Sequence, residues 1–415
     1  MAIDTWAERT RLANEQATTG RQVRVGRSGE VDTHRAVSEA VRSALAGPAT
    51  RAMFVFTSSG ASADEVAAAV VEQTTAAGLA DLPVLGCSTA GHLGFGGSGT
   101  DPGAGRPEPD IGATAVAIGG DIDVATAIEG DLHRRPRDAG RALAAKLQPP
   151  RHRDHHLAIL LTDVVAGDHP EMVRGAYSEW GATMPIAGGV AGPLNTPFWQ
   201  LYGGAVHTDC VTGMLLSSDA PMAVAVHHGW RGDGSGMLAT ASNGNVLYEL
   251  DDRPALDAFL DRLHVPDDIC RDAEEFNAYV LSKPLAISRR GRLALRQIVS
   301  ADHDERTLIC SAVVPRGAQV FVAQTDAAAT IAAADRVCAE AVAGLHGQPL
   351  AGLLVFDCIG RRMALSAESL ATEWATMRTH TGGAPIGGFY TGGEFARVHG
   401  AVGFHNQSIV ACALG

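Results

Sequence analysis

The chain has 415 residues, of which 46% are hydrophobic and 19% charged. This composition predicts a folded protein with a large core and excludes a disordered chain. The formal net charge is −13, which disfavours nucleic acid as a partner because a phosphate backbone would be repelled. The length predicts two or three domains, since single cores stop growing at about 250–300 residues.

The seven cysteines are scattered, and no two of them form a C-x-x-C pair. This pattern is typical neither of a disulfide framework nor of a zinc knuckle, so we expect reduced thiols and no cofactor or metal. Charges stand near the amino terminus where a signal peptide needs an apolar run, and no stretch approaches the ~18 apolar residues of a membrane span. We therefore expect a cytoplasmic protein without membrane insertion.

One arrangement of apolar strand, helix and Pro-x-x-Gly strand occurs three times. The copies comprise Ala52–Phe56, a helix over 63–77 and Pro83–Gly86; Leu157–Leu161, a helix over Glu171–Trp180 and Pro185–Gly188; and Gly352–Phe356, a helix over 366–378 and Pro385–Gly388. Because the helix must cross over the face of the sheet, the two strands of each copy should be parallel neighbours.

Each copy continues into one more strand, over Gly112–Ile118, Thr212–Ser217 and Ser408–Leu414. We expect hairpins after the Pro-x-x-Gly strands, and hence an α/β (α+β) fold with mixed sheets. A helix over Asp251–Leu263, with Pro254 near its first turn, should open the second half. The predicted organisation is an amino-terminal extension (1–49), an amino-terminal domain (50–250) and a carboxy-terminal domain (251–415).

The segment Gly86–Ala90 is similar to a nucleophile elbow, with Cys87 or Ser88 as the candidate nucleophile. The residues that follow, Gly91 to Gly94, do not form the helix that such an elbow needs. An enzyme that uses Cys87, Ser88 or the later Cys358 is therefore the third of three functional hypotheses.

His228 ends an apolar run over Met222–Val226 and precedes Gly229 and Trp230. A neutral imidazole that leaves a buried strand beside an aromatic side chain is a candidate axial haem ligand. The alternative is a core histidine whose ring nitrogens are hydrogen-bonded within the protein.

Chemically active side chains are concentrated in the last sixty residues, where we predict a ligand site. The candidates follow a strand end, a Pro-x-x-Gly strand or a short strand: Cys358, Arg361, Tyr390, Glu394, His405 and Asn406. Groups at strand ends beside glycine-rich turns often converge on one binding site. The alternative is that these residues only fix turns, with an Arg361–Glu394 salt bridge and Asn406 in a hairpin.

Arg361 and Glu394 together would suit a zwitterionic ligand. A guanidinium can grip a carboxylate in bidentate fashion, and a carboxylate can hold an ammonium group. The expected ligand is therefore a small molecule that carries both a negative and a positive charge.

The chain resembles the FIST family of sensory domains over roughly residues 50–414. The resemblance rests on the following segments: Pro83–Gly91, Pro185–Gly192, His228–Trp230 before Asn243–Asn245, Cys358–Arg361, Gly388–Glu394 and His405–Asn406. It implies intracellular sensing of an amino acid or related metabolite. It also implies a haem-binding nitric oxide sensor as an alternative, with His228 as the candidate ligand. No output domain is recognised in the chain, so we expect a separate signalling partner such as a histidine kinase.

Overall fold

In the computed structural model, the described residues are 20–47, 49–96, 112–163, 168–181, 183–192, 198–289, 292–397 and 403–415. Three similar units each build one sheet with helices on its outer face, and a fourth sheet lies in an inserted domain. The first unit contains β1 (Gln22–Ser28), α1 (Thr33–Leu45), β2 (Thr50–Ser58), α2 (Ala63–Ala76), β3 (Val84–Thr89), β4 (His92–Phe95) and β5 (Ala113–Gly119).

The second unit repeats this order. It contains β6 (Asp123–Glu129), α3 (Pro136–Lys146), β7 (His155–Asp163), α4 (His169–Trp180), β8 (Ile186–Ala191), β9 (Gln200–Tyr202), β10 (Ala205–His207) and β11 (Val211–Ser218). The third unit begins with β12 (Met222–His227) and is then interrupted by the inserted domain.

The inserted domain runs from about residue 231 to 325. It contains β13 (Arg231–Gly232), β14 (Met237–Asn243), β15 (Val246–Leu250), β16 (Arg253–Pro254), α5 (Ala255–Leu263), a 3-10 turn (Asp267–Arg271), α6 (Ala273–Leu281), β17 (Leu285–Arg289), β18 (Arg292–Arg296), β19 (Ile298–Asp302), β20 (Thr307–Cys310) and β21 (Gln319–Gln324). Its strands and helices enclose a core of their own.

The third unit resumes after the insertion. It adds α7 (Ala327–Ala343), β22 (Gly352–Cys358), α8 (Ile359–Met363), α9 (Ala367–Thr379), β23 (Ile386–Thr391), β24 (Glu394–Arg397), β25 (Phe404–His405) and β26 (Ile409–Leu414). Asp32 in the first unit and Asp326 in the third cap α1 and α7 at equivalent positions, each accepting a backbone N–H three residues later at 2.8 Å.

The predicted parallel pairs are confirmed in all three units. Strand β2 pairs with β3, β7 with β8, and β22 with β23, all in parallel. The registers correspond as well, because Phe56 lies opposite Cys87, Leu161 opposite Gly189, and Phe356 opposite Phe389. The repeat read from the sequence is therefore a structural repeat.

The predicted hairpins after the Pro-x-x-Gly strands are wrong, because the next strand leaves for another sheet. The sheet orders are β1-β5-β2-β3-β9-β10 (sheet 1), β6-β11-β7-β8-β24-β25 (sheet 2) and β12-β26-β22-β23-β4 (sheet 3). Strand β4 of the first unit thus joins the third sheet, β9 of the second joins the first, and β24 of the third joins the second. The exchange is cyclic and ties the three units together.

The three sheets share one apolar core. Phe54 and Phe56 of β2 contribute to it together with side chains of β7 and β22. Met53 and Val55, which alternate with them, point to the opposite face and pack with α1 and α2. This alternation follows from the two-residue period of a strand, and it places helices outside and the shared core inside.

Two predicted domain boundaries lie inside sheets of the structure. Residues 22–45, assigned to an extension, form β1 and α1, and β1 pairs with β5 over seven residues. The predicted boundary at residue 250 lies inside one sheet, because β15, which ends at Leu250, pairs with β20, which follows the boundary in the chain. The predicted helix starts later, at Ala255, because Asp251 and Asp252 have φ of 52° and 59° and Arg253 pairs with Leu250.

Polar contacts connect the inserted domain to the end of sheet 3. Gln407 Nε2 donates to the Leu281 carbonyl at 2.8 Å and to Gln297 Oε1 at 2.6 Å. Ser311 Oγ donates to Asn406 Oδ1 at 2.5 Å. Within the described part of the chain, no helix is both long and apolar enough to cross a membrane.

Candidate ligand-binding cluster

The segments that carry the six predicted ligand residues lie near the carboxyl ends of β22 and β23, but the six side chains do not share one set of partners. Cys358 ends β22, and its N–H donates to the Ser408 carbonyl at 3.0 Å. Ser408 in turn donates to Glu394, the first residue of β24. A Cβ at Gly360, which precedes Arg361, would lie 2.2 Å from the Gln407 amide, so this position needs glycine for close approach. The three segments therefore contact one another, whereas Arg361 and Glu394 bond to different partners.

Arg361 lies at the centre of an ion-pair network. Its Nε donates to Asp357 Oδ1 at 2.7 Å and its Nη2 to Glu373 Oε1 at 2.5 Å. Nη2 also donates to the Thr330 carbonyl at 3.2 Å. The Arg361 side chain is 1% exposed and both carboxylates are fully buried. The expected Arg361–Glu394 salt bridge is not formed, because two other acids occupy the guanidinium.

Part of the hydrogen-bonding capacity of this network is unused. Among the described residues, Asp357 Oδ2, Arg361 Nη1 and Glu373 Oε2 are buried without a hydrogen-bond partner. Leaving such a group unpaired costs about 1–3 kcal/mol, and more for a charged group. The network thus has one unpaired donor, on the guanidinium itself, and two unpaired acceptors, one on each acid.

Burial controls the protonation of these acids. It raises the pKa of Asp357 and raises the pKa of Glu373 to about 8, although the charge on Arg361 opposes both shifts. The two carboxylates also disfavour each other's ionisation. One guanidinium with one carboxylate and one protonated carboxyl is the charge state that this balance favours near neutral pH.

Glu394 has a different set of partners. Thr391 Oγ1 donates to its Oε1 at 2.5 Å, and Ser408 donates to Oε2 through its backbone N–H at 3.0 Å and its hydroxyl at 2.7 Å. Burial nevertheless raises the pKa of Glu394 to about 8. The side chain is therefore a neutral hydrogen-bonding group below that pH.

Glu394 also belongs to a set of equivalent polar residues on the exchanged strands. His92 lies opposite Phe389, Gln200 opposite Cys87 and Glu394 opposite Gly189, which are matching positions of the three units. Each bonds back to its own unit, His92 to Thr114 at 2.8 Å, Gln200 to Thr212 at 2.8 Å and Glu394 to Ser408. These contacts hold the exchanged strands in place.

The remaining predicted residues line the same region. The Tyr390 hydroxyl accepts from Trp374 Nε1 at 3.0 Å, and the Arg362 guanidinium lies 5.1 Å from its ring centroid. His405 bonds to the Ala396 carbonyl, and burial lowers its pKa to about 4. Asn406 lies between β25 and β26, which pair with different strands, so the predicted hairpin at this position is wrong.

Two family models match the chain, and they meet within the inserted domain. The FIST N domain matches residues 51–253 and the FIST C domain residues 255–397. The chain belongs to the FIST family. Domains of this family are generally sensory and bind small ligands.

Relatives of this FIST protein include mycobacterial proteins that are named only as uncharacterized. One from Mycobacterium tuberculosis strain H37Rv is 27% identical over 257 residues, covering 60% of this chain and 66% of its own length. One from Mycobacterium bovis is 27% identical over 259 residues, covering 61% and 65%. The chain therefore spans just under two thirds of the length of these relatives.

The His228 ring already has hydrogen-bond partners in the FIST protein as folded. Its Nδ1 accepts from the Trp230 backbone N–H at 3.3 Å, and its ring also hydrogen-bonds to the Leu293 backbone. Coordination needs a ring nitrogen with an available lone pair, so one of these bonds would have to break. Among residues of described placement, no group of three or more His, Cys, Asp or Glu side chains is arranged to hold a metal ion.

The candidate nucleophiles are not activated. Cys87 and Ser88 are fully buried, and Ser88 Oγ accepts from the Trp199 N–H at 3.1 Å. Burial raises the pKa of the Cys87 and Cys358 thiols, whereas a reactive cysteine needs a lowered pKa. The geometry therefore gives no support to the enzyme hypothesis.

Asp357 and Glu373 are the functional candidates that sequence reasoning missed. Asp357 is fully buried next to Cys358 at the end of an apolar strand, and an acid in such a position was an available signal. Glu373 lies on the face of α9 that also carries the buried Leu370, Trp374 and Met377, and an acid at that helical spacing was a second available signal. Only the tertiary structure shows that it faces Arg361.

Proposed function

We propose that this FIST protein is a sensor that binds an amino acid or related metabolite at the Asp357–Arg361–Glu373 network. The observation that carries the proposal is the unused capacity of that network, with one unpaired donor on Arg361 and one unpaired acceptor on each acid. A zwitterion supplies the matching groups. Its carboxylate would accept from Arg361 Nη1, and its ammonium would donate to Asp357 and Glu373.

The position of the network supports a sensory role. Gln407 touches Gly360 on one side and donates to Leu281 and Gln297 of the inserted domain on the other. Because Arg361 is almost completely buried and bonded to α7 and α9, a ligand would enter only if the helices around it moved. Binding would thus change the contact between the inserted domain and sheet 3, and a separate protein such as a histidine kinase would read that change.

Calorimetry against a panel of amino acids tests this assignment. We expect at least one amino acid to bind the wild type at pH 8.5, above the pKa of about 8 to which burial raises Glu373. At that pH Glu373→Gln should weaken the binding about 10- to 100-fold, because hydrogen bonds to charged groups contribute about 1.5–3 kcal/mol. The variant keeps the size of the side chain. Binding to Glu394→Gln should change much less, since Glu394 already has three internal partners.

The matched control is Glu368→Gln, which removes an exposed acid from the same helix. It should bind as the wild type does. Equal affinity of the wild type and Glu373→Gln would contradict the assignment of the site, and a panel with no binding at all would contradict the ligand class.

A further inference from the structure

A cavity of about 190 Å³ lies at the carboxyl end of β2 in the first unit. Its wall includes Glu30, which precedes α1, and Thr33, the first residue of α1. Thr57 and Ser58 at the end of β2 and Ala61 before α2 also belong to the wall. Apolar side chains of α1 complete the wall. The cavity is outside the cluster described above, which belongs to the third unit.

Strand register shows what fills the equivalent space in the third unit. Ser58 lies opposite Thr89 and Cys358 opposite Thr391, so Ser58 corresponds to Cys358. Three residues farther along, the first unit has Ala61 in a turn and the third unit has Arg361 in α8. The third unit therefore fills with the Arg361 side chain a space that the first unit leaves open beside Ala61.

The walls of the two spaces correspond as well. Arg361 donates to the carbonyl of Thr330, four residues after the capping Asp326. Ala36 lies four residues after the capping Asp32 and is part of the cavity wall. The cavity is therefore located where the third unit places a guanidinium.

Polar groups in the cavity wall are available to a ligand. Thr57 is fully buried, and its hydroxyl has no hydrogen-bond partner within the described residues. Its counterpart by register is Asp357, which binds Arg361. Glu30 supplies a carboxylate that is 3.2 Å from the exposed Arg35 and keeps 39% of its side chain exposed.

Charge near the cavity favours a cation. The positive ends of the helix dipoles are offset by Asp32, which caps α1, and by Asp64 and Glu65 in the first turn of α2. Glu30 is the charged side chain of the wall itself. An anionic ligand would face this carboxylate, whereas a cationic ligand would pair with it in place of the exposed Arg35.

We propose that the cavity of the first unit binds a small organic molecule through a guanidinium or primary ammonium group. The cationic group would occupy the place that Arg361 takes in the third unit. Glu30 would supply the counter-charge, and the Thr57 hydroxyl would accept a hydrogen bond. This site is independent of the network proposed above for amino acids.

Ligand-observed NMR titration with propylguanidinium, the arginine side chain without its backbone, tests the proposal. Propylurea is the matched neutral probe and propionate the anionic one. We expect propylguanidinium to bind, with Glu30→Gln weakening it about tenfold or more and Ala61→Arg abolishing it by filling the cavity. Binding should be unchanged in Glu373→Gln and in the exposed control Glu368→Gln, both on α9 of the third unit.

Two results would overturn the proposal. Propylurea or propionate binding as tightly as propylguanidinium would contradict the charge class. Wild-type affinity in both Glu30→Gln and Ala61→Arg would contradict the location. Because Glu30→Gln changes no volume, it decides the case even if Ala61→Arg does not fold, which circular dichroism would reveal.

Discussion

Replacing Arg361 by methionine is expected to lower the free energy of unfolding by about 3–5 kcal/mol at neutral pH. Methionine fills most of the space, but it leaves the fully buried Asp357 and Glu373 without a cation. Urea-induced unfolding followed by circular dichroism measures the loss. The loss should shrink at pH 5, because protonation of the remaining carboxylate removes the unpaired charge.

Arg336→Met is the matched control, since Arg336 is an exposed residue of α7. It should change the free energy of unfolding by less than about 0.5 kcal/mol. Adding Asp357→Asn and Glu373→Gln to Arg361→Met should recover much of the lost stability. A loss no larger than that of the control would show that the ion pairs contribute little to the fold.

Glu394 is expected to make the protein less stable as the pH rises from 6.5 to 8. Burial raises its pKa from 4.5 to about 8, so in this window the folded state binds more protons than the unfolded state. The free energy of unfolding then falls with pH by up to about 1.4 kcal/mol per unit for each such group. Glu373, whose pKa is also raised to about 8, acts in the same direction.

Below pH 6.5 His405 contributes a slope of the opposite sign, which partly offsets the slopes of Glu394 and Glu373. Burial lowers the pKa of His405 to about 4. The stability that the neutral side chain contributes is therefore fully present above pH 6.5, the pKa in the unfolded state, and is lost as the pH falls toward 4. Glu394→Gln should remove about half of the slope between pH 6.5 and 8, because glutamine imitates the protonated acid. Chemical unfolding at a series of pH values checks this, and an unchanged slope would mean that Glu394 is ionised in the folded protein.

The local pattern of the sequence predicts the three parallel strand pairs. Apolar runs such as Leu157–Leu161, followed by helix signals and a Pro-x-x-Gly strand, allow few other arrangements. The carboxy-terminal convergence is predictable for the same reason, since equivalent strand ends meet at one edge. Both inferences depend on short-range signals.

The strand exchange is not predictable from such signals. Strand β4 has four residues and β9 three, and a short strand after a turn has the same local sequence whether it folds back or joins another sheet. The partners of Arg361 are hidden for a similar reason. The position of Glu373 is set by the packing of α9 on sheet 3. Its distance from Arg361 along the sequence does not reveal that the two side chains meet.

Native mass spectrometry of the purified protein tests the central claim most directly, that an amino acid or related metabolite binds at the Asp357–Arg361–Glu373 network. After incubation with the panel, we expect one amino acid adduct per chain in the wild type and in Glu368→Gln, and its loss in Glu373→Gln. An adduct that persists in Glu373→Gln but disappears in Glu30→Gln would place the ligand in the first-unit cavity and contradict the claim.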